Sequence, residues 1–142
     1  EVAVHSLEPP DHPRAALLRE AGIEYLPELG VRRADILIEA TGSAASALAG
    51  IGQLAPLGVC VILGANDGAG QFPFRQVITG NQCVLGSVNA SPEAFAAARE
   101  DLARFDRGIV KGLIRRLPFS NFEESILGPP ALSPKLVHVV AE

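Results

Sequence analysis

The sequence predicts an α/β domain built on a mostly parallel sheet. Three observations predict it. Strand-like runs alternate with helix-like runs along the chain. The runs ADILIEA (34–40) and GVCVILG (58–64) are apolar without alternation, as in parallel strands covered on both faces. The 142 residues are 48% hydrophobic and 20% charged, which supplies a core for one domain of ordinary size.

The elements follow in order. Val2–His5 reads as a short β-rich strand ahead of the Pro9-Pro10 loop. Asp11 is placed to cap a helix with Pro13 in its first turn and Gly22 at its stop; Ala15, Leu18 and Ala21 make its apolar stripe. Ile23–Leu26 is a second short strand and Ala34–Ala40 a third. Thr41-Gly42-Ser43 forms a turn whose Ser43 caps the next helix. Ala47, Leu48, Ile51 and Leu54 are its inner face, and Pro56 ends it. The strand at Gly58–Gly64 runs into a glycine-rich loop. A short helix is expected after Pro73 and a strand over Gln82–Val88. Ser91, Pro92 and Glu93 start a helix with Phe95, Ala98, Leu102 and Phe105 on its core face. Gly108 separates it from a helix around Ile109–Ile114; a short helix over Phe119–Ile126 and a strand over Lys135–Val140 complete the chain.

Several partners are disfavoured. The net charge is −4 without a block of lysine or arginine, which argues against nucleic acid. No uninterrupted apolar run reaches the roughly 18 residues of a membrane span. The two cysteines, Cys60 and Cys83, are read as core residues of a protein kept in a reducing, cytoplasmic compartment. A chain that starts at Glu1 and contains no methionine is expected to be the later part of a longer polypeptide.

In open parallel sheets, ligands bind outside the carboxyl ends of the strands. That rule selects His5 and Ser6, Thr41 and Gly42, Gly64 to Asp67, and Ser87 to Asn89. Glycines there allow close approach of a ligand, and Thr41, Ser87 and Asn89 offer hydrogen-bonding groups. Singly, each is also an ordinary turn former. Neither G-x-G-x-x-G nor G-x-S-x-G occurs, and no His/Cys cluster has zinc spacing. Glu39 and Asp67 are the best-placed carboxylates, without a visible basic partner. The pairs Arg32-Arg33 and Arg115-Arg116 read as solvated charges, and His138 as a packed or surface histidine. The residues themselves describe a nucleotide-type domain without a catalytic group.

The segments ADILIEATG, GVCVILGAND and QCVLGSVNAS, with the closing KLVHVVAE, resemble the medium-chain dehydrogenase/reductase superfamily. Within it they are most similar to the carboxy-terminal, nucleotide-binding region of the zinc-dependent glucose 1-dehydrogenases. The resemblance implies a Rossmann-like sheet ordered 3-2-1-4-5-6, with Val2–His5 as strand 2 and Ala34–Ala40 as strand 4. Residues 1–142 are then a partial dinucleotide-binding domain lacking the first strand and its Gly-rich turn, the C-terminal part of a longer enzyme. The gap leaves two strand edges unpaired, which invites association or instability; relatives are commonly dimers or tetramers, so a homo-oligomer is expected. The implied activity is hydride transfer from a glucose-like aldose, or another sugar or alcohol, to NADP or NAD, with NADP preferred. Zinc is expected only in the missing N-terminal domain, and the chain alone is expected to be inactive. By resemblance Thr41 and Gly42 flank the cofactor, Leu63, Gly64 and Ala65 pass beside the nicotinamide, and Ser87, Val88 and Asn89 meet its ring and carboxamide. Where the family carries Asn-Arg-Arg for a 2′-phosphate, this chain has Ser6, Leu7 and Glu8; Ser6 keeps a hydroxyl to donate to the phosphate group, but the positive charge is gone. The alternative is a non-catalytic nucleotide-binding or oligomerisation module.

Overall fold

The computed structural model describes residues 1–65, 68–128 and 135–140. Asp67, one of the two candidate carboxylates, lies outside them. The chain forms two compact units, Leu29–Ser91 and the combination of Glu1–Glu28 with Pro92–Glu142.

The unit Leu29–Ser91 is a three-stranded parallel sheet, β3 (Ala34–Glu39), β4 (Leu54–Ile62) and β5 (Cys83–Gly86), in that order. Helix α2 (Ala44–Ile51) connects the first two strands and α3 (Phe74–Thr79) the last two. Ser43 caps α2 as expected, its Oγ accepting from the Ser46 N–H at 3.3 Å. Register places Leu37, Cys60 and Val84 in one row, between the row of Ile36, Val59 and Cys83 and that of Ile38, Val61 and Leu85. Because side chains alternate along a strand, these rows point to opposite faces. The Leu37–Cys60–Val84 face packs under α2 and α3, where Ile51, Leu54 and Cys60 are fully buried with Phe72 and Val77 around them. The other face is open: Ile36 is 71% exposed and Ile38 66%. The unalternated apolar runs are therefore parallel strands, but covered on one face only. Cys83 shares the open row and is exposed, not a core cysteine.

Leu54 is buried as expected but opens β4 rather than closing α2. The strand starts before Pro56 because a bulge absorbs the proline. Ala34 pairs with Leu54, yet Ile36 pairs with Val59, and Leu57 in the extra loop has φ 64°. The Leu57 N–H donates to the Gly80 carbonyl at 2.7 Å, and the Gln82 side-chain amide donates to the Leu54 and Ala55 carbonyls. These bonds satisfy backbone groups that the ladder leaves open.

The two cysteines should differ in reactivity. Burial, and then the Glu39 carboxylate, push the Cys60 thiol above its usual range. Since the thiolate is the reactive form, a thiol reagent should modify Cys83 promptly in the native chain and Cys60 only on unfolding. Mass spectrometry before and after denaturant checks this; equal rates would contradict the register.

The other unit holds two parallel strand pairs. One joins β1 (Ala3–His5) to β2 (Glu24–Leu26), and the other joins β6 (Ile114–Pro118) to β7 (Lys135–Val139). Among the described residues β1 is hydrogen-bonded only to β2, and β3 only to β4. Helix α1 (Pro13–Glu20) is capped by His12, whose Nδ1 accepts from the Arg14 N–H at 3.2 Å, and not by Asp11. Helix α4 (Pro92–Arg104) starts where expected but buries none of its residues. Its stripe of Phe95, Leu102 and Phe105 is exposed, because an amphipathic helix buries its stripe only where another element is laid over it. Helix α5 (Arg107–Gly112) owes its start to Asp106, whose Oδ1 accepts from the Gly108 and Ile109 N–H groups, and it ends before Ile114. Ile114, read as the end of a helix, instead opens strand β6, which also takes in Arg115 and Arg116. Its arginine pair hides the β-pattern from a sequence reading, while the pairing with β7 decides its state. A single 3-10 turn over Phe119–Asn121 and α6 (Phe122–Leu127) lie between β6 and β7.

Candidate functional site

Eight of the nine predicted cofactor-facing residues lie at the carboxyl ends of three hydrogen-bonded strands of one unit. Thr41 and Gly42 follow β3, Leu63, Gly64 and Ala65 follow β4, and Ser87, Val88 and Asn89 follow β5. The ends are knit beyond the ladder. The Glu39 carbonyl accepts from the Leu63 N–H at 2.7 Å and the Gly64 N–H at 3.2 Å; the Ile62 carbonyl accepts from the Ser87 N–H at 3.0 Å. The parallel register creates this row, since Glu39, Ile62 and Gly86 terminate their strands side by side.

Two glycines shape the edge of the row. Gly42 has φ 71°, a conformation side chains rarely adopt. Gly64 lies so close to the neighbouring turn that a Cβ there would sit 2.3 Å from the Gly42 nitrogen and 2.9 Å from Glu39 Oε2. At Gly86, by contrast, a Cβ would meet nothing within 4 Å. Asn89 holds φ 64°, and it and Val88 are exposed. The rim is therefore mostly backbone, with small residues where chains come together and open space beside β5.

Glu39 is the residue whose role the sequence hides. It is 4% exposed. Its Oε1 accepts from the Thr41 N–H at 2.7 Å and from the Thr41 hydroxyl, whose oxygen in turn accepts from the Ser43 N–H at 3.1 Å. Its Oε2 is buried without a hydrogen-bond partner. The signal in the sequence was a carboxylate two residues before a Thr-Gly turn, within local hydrogen-bonding reach. Its partners are the local donors of Thr41 and not a basic side chain.

Ser6, the ninth residue, follows β1 in the other unit. Its carbonyl and that of Glu8 both accept from the Tyr25 hydroxyl, at 3.0 Å for Ser6, so the loop after β1 is pinned to β2. His5 is engaged as well, its Nδ1 lying 2.9 Å from the Leu26 carbonyl oxygen. Glu8 carries the charge that the sequence suggests. Its own backbone N–H, and next the Arg14 guanidinium 2.8 Å away, hold its carboxyl below the usual range. His138 is packed, with Nε2 2.7 Å from Ser125 Oγ. Among the described residues no three of His, Cys, Asp and Glu gather as a metal site. Two open clefts, of about 500 Å³ beside α1 and about 620 Å³ beside α3, have none of these strand-end residues in their linings.

Residues 2–126 match the family model described as glucose dehydrogenase C-terminus. The chain belongs to this family. Among its relatives, glucose 1-dehydrogenase 2 of Vulcanisaeta moutnovskia is 33% identical over 129 residues, covering 82% of this chain and 37% of that protein. The glucose 1-dehydrogenase of Thermoproteus tenax is 32% identical over 129 residues with the same coverage. The chain thus spans little more than a third of these family members. Among solved structures, Haloferax mediterranei glucose dehydrogenase in complex with NADP, Zn and gluconolactone superposes with a TM-score of 0.85 at 22% identity, covering 99% of this chain and 43% of that one. Bacillus subtilis 2R,3R-butanediol dehydrogenase superposes with a TM-score of 0.79 at 14% identity. The Rossmann-like fold of the glucose dehydrogenase C-terminal region is therefore the fold of this chain.

Proposed function

We propose that this chain is the nicotinamide-side, cofactor-binding portion of an oxidoreductase that transfers hydride from a glucose-like aldose to NADP or NAD. In this proposal it is a partial dinucleotide-binding domain, the C-terminal part of a longer cytoplasmic enzyme, and inactive alone. The observation that carries it is the row of three knit strand ends in a member of the glucose dehydrogenase C-terminus family.

The residues fit a flat ring better than a charged group. The Thr41 hydroxyl is already engaged at both ends, donating to Glu39 and accepting from Ser43. Recognition then falls to backbone groups of Gly42, Leu63, Gly64 and Ala65 and to Ser87, Val88 and Asn89, with open space beside Gly86 for close approach. The bound nicotinamide supplies the hydride acceptor. The chain's own part is to orient that ring and keep one of its faces from water. Ser6 is assigned to the 2′-phosphate or the ribose. Glu8, ionised and paired to Arg14, supplies no positive charge there, so preference for NADP comes from relatives such as the NADP-bound Haloferax mediterranei enzyme. Among the described residues no cluster of His, Cys, Asp and Glu fits zinc. Homo-oligomer formation belongs to the proposal and is supported by the open apolar face of Ile36, Ile38 and Leu85. The same face favours the second reading, an oligomerisation module. No helix among the described residues is long and apolar enough to cross a membrane.

The test is a pair of assays. The longest polypeptide encoded by the gene should reduce NADP with glucose, while the 142-residue chain shows no turnover. Lack of turnover by the longer polypeptide on every aldose and alcohol tried would contradict the proposal, as would turnover by the chain alone.

A further inference from the structure

Glu39 holds two of the three strand-end segments at once. Its carbonyl accepts from Leu63 and Gly64; its carboxylate accepts from Thr41 twice. The segments after β3 and β4 thus meet on one residue. An apolar residue would meet the needs of the core at this position, and a buried carboxylate carries a desolvation penalty that its hydrogen bonds must offset. Only one of its two oxygens has partners. The other, Oε2, faces the place where the Gly64 and Gly42 backbones nearly touch. Glutamate is long enough to fold back to the turn two residues on while its main chain stays in the ladder.

We infer that Glu39 is a positioning residue for dinucleotide binding: by tying the Thr41-Gly42 turn and the Leu63–Ala65 segment to one point, it sets the platform on which the nicotinamide end lies. The inference rests on the cofactor assignment above. It makes no use of the carboxylate's charge in the chemistry; Glu39 acts through Thr41, Gly42 and Gly64.

Three variants separate the alternatives. Glu39→Gln keeps an acceptor oxygen for Thr41 and removes the charge. Glu39→Asp keeps the charge but is one methylene too short for the same reach. Glu39→Ala removes both. They are made in the longest polypeptide that the gene encodes, and NADPH affinity is read by nicotinamide fluorescence titration. Amide hydrogen exchange at Thr41, whose N–H donates to the Glu39 carboxylate, reports the tether itself, without cofactor. The expected result is that Asp and Ala release the Thr41 amide and weaken NADPH about tenfold or more, while KM for the sugar is unchanged. Gln keeps Thr41 protected and binds within about threefold of the parent, even though its buried NH2 lowers the unfolding midpoint. A merely structural role would give the reverse split, with stability falling and affinity in the folded variants unchanged. The inference is overturned if Asp releases Thr41 yet binds NADPH like the parent, or if Gln weakens binding as much as Ala. If the unsubstituted polypeptide binds no dinucleotide, the cofactor assignment itself fails and the inference falls with it.

Discussion

Substituting alanine for Gly64 is expected to destabilise the Leu29–Ser91 unit by about 3 kcal/mol, the upper end of overpacking costs. The added methyl would sit 2.3 Å from the Gly42 nitrogen, 2.8 Å from its Cα and 2.9 Å from Glu39 Oε2. Two of these are backbone atoms and the third belongs to a buried side chain held at its other oxygen, so nothing swings aside cheaply. Either the turn after β3 moves or the end of β4 does, and both moves separate the predicted cofactor-facing segments. At about 1.4 kcal/mol per factor of ten, the folded population should fall by roughly a hundredfold relative to unfolded. Gly86→Ala is the control. Its methyl meets nothing within 4 Å, and the stability change should stay within about 0.5 kcal/mol. Urea unfolding of both variants checks the pair; equal midpoints would mean that the close approach at Gly64 is not a feature of the folded chain.

Ile51→Ala is expected to cost about 3 to 4 kcal/mol, in the range found for truncating buried aliphatic residues. Ile51 and Leu54 are each 1% exposed and, with Cys60, are the fully buried centre under α2 and α3. The unit has one packed face, so no second core shares the load. Ile38→Ala removes the same atoms from the opposite face, where the side chain is 66% exposed, and should cost less than about 1 kcal/mol. If the two variants unfold together, the assignment of faces from the strand register is wrong. If Ile38→Ala becomes as costly in the longest polypeptide, the open face is covered there.

Much of this was legible from residue order. Uninterrupted apolar runs locate β3 and β4, and Ser43 marks the start of α2. The strand-end rule selects Thr41, Gly42, Gly64, Ala65 and Ser87 to Asn89, which follow three neighbouring strands of one sheet, and the resemblance adds Leu63. The illegible parts share a cause: each depends on what lies across space. An unalternated run reads as doubly covered, but whether Ile36 and Ile38 are buried depends on a partner for their face. Pro56 reads as a helix end and lies within β4 because a bulge with Leu57 at positive φ absorbs it. Cys83 looks as buried as Cys60 until register puts it in the row with Ile36. Residues 114–118 lack a strand pattern and become β6 through β7. Glu39 hid because a buried acid suggests a basic partner, whereas here a backbone N–H and a hydroxyl two residues on take that place.

The most direct test of the central claim is an amide NMR spectrum of the folded chain, assigned and titrated with NADP. Shift changes are expected to concentrate at Thr41, Gly42, Leu63 to Ala65 and Ser87 to Asn89, with nicotinamide protons receiving magnetisation from the protein. Saturable shifts confined to other surfaces, or no shifts at millimolar NADP in the longest polypeptide as well, would contradict it.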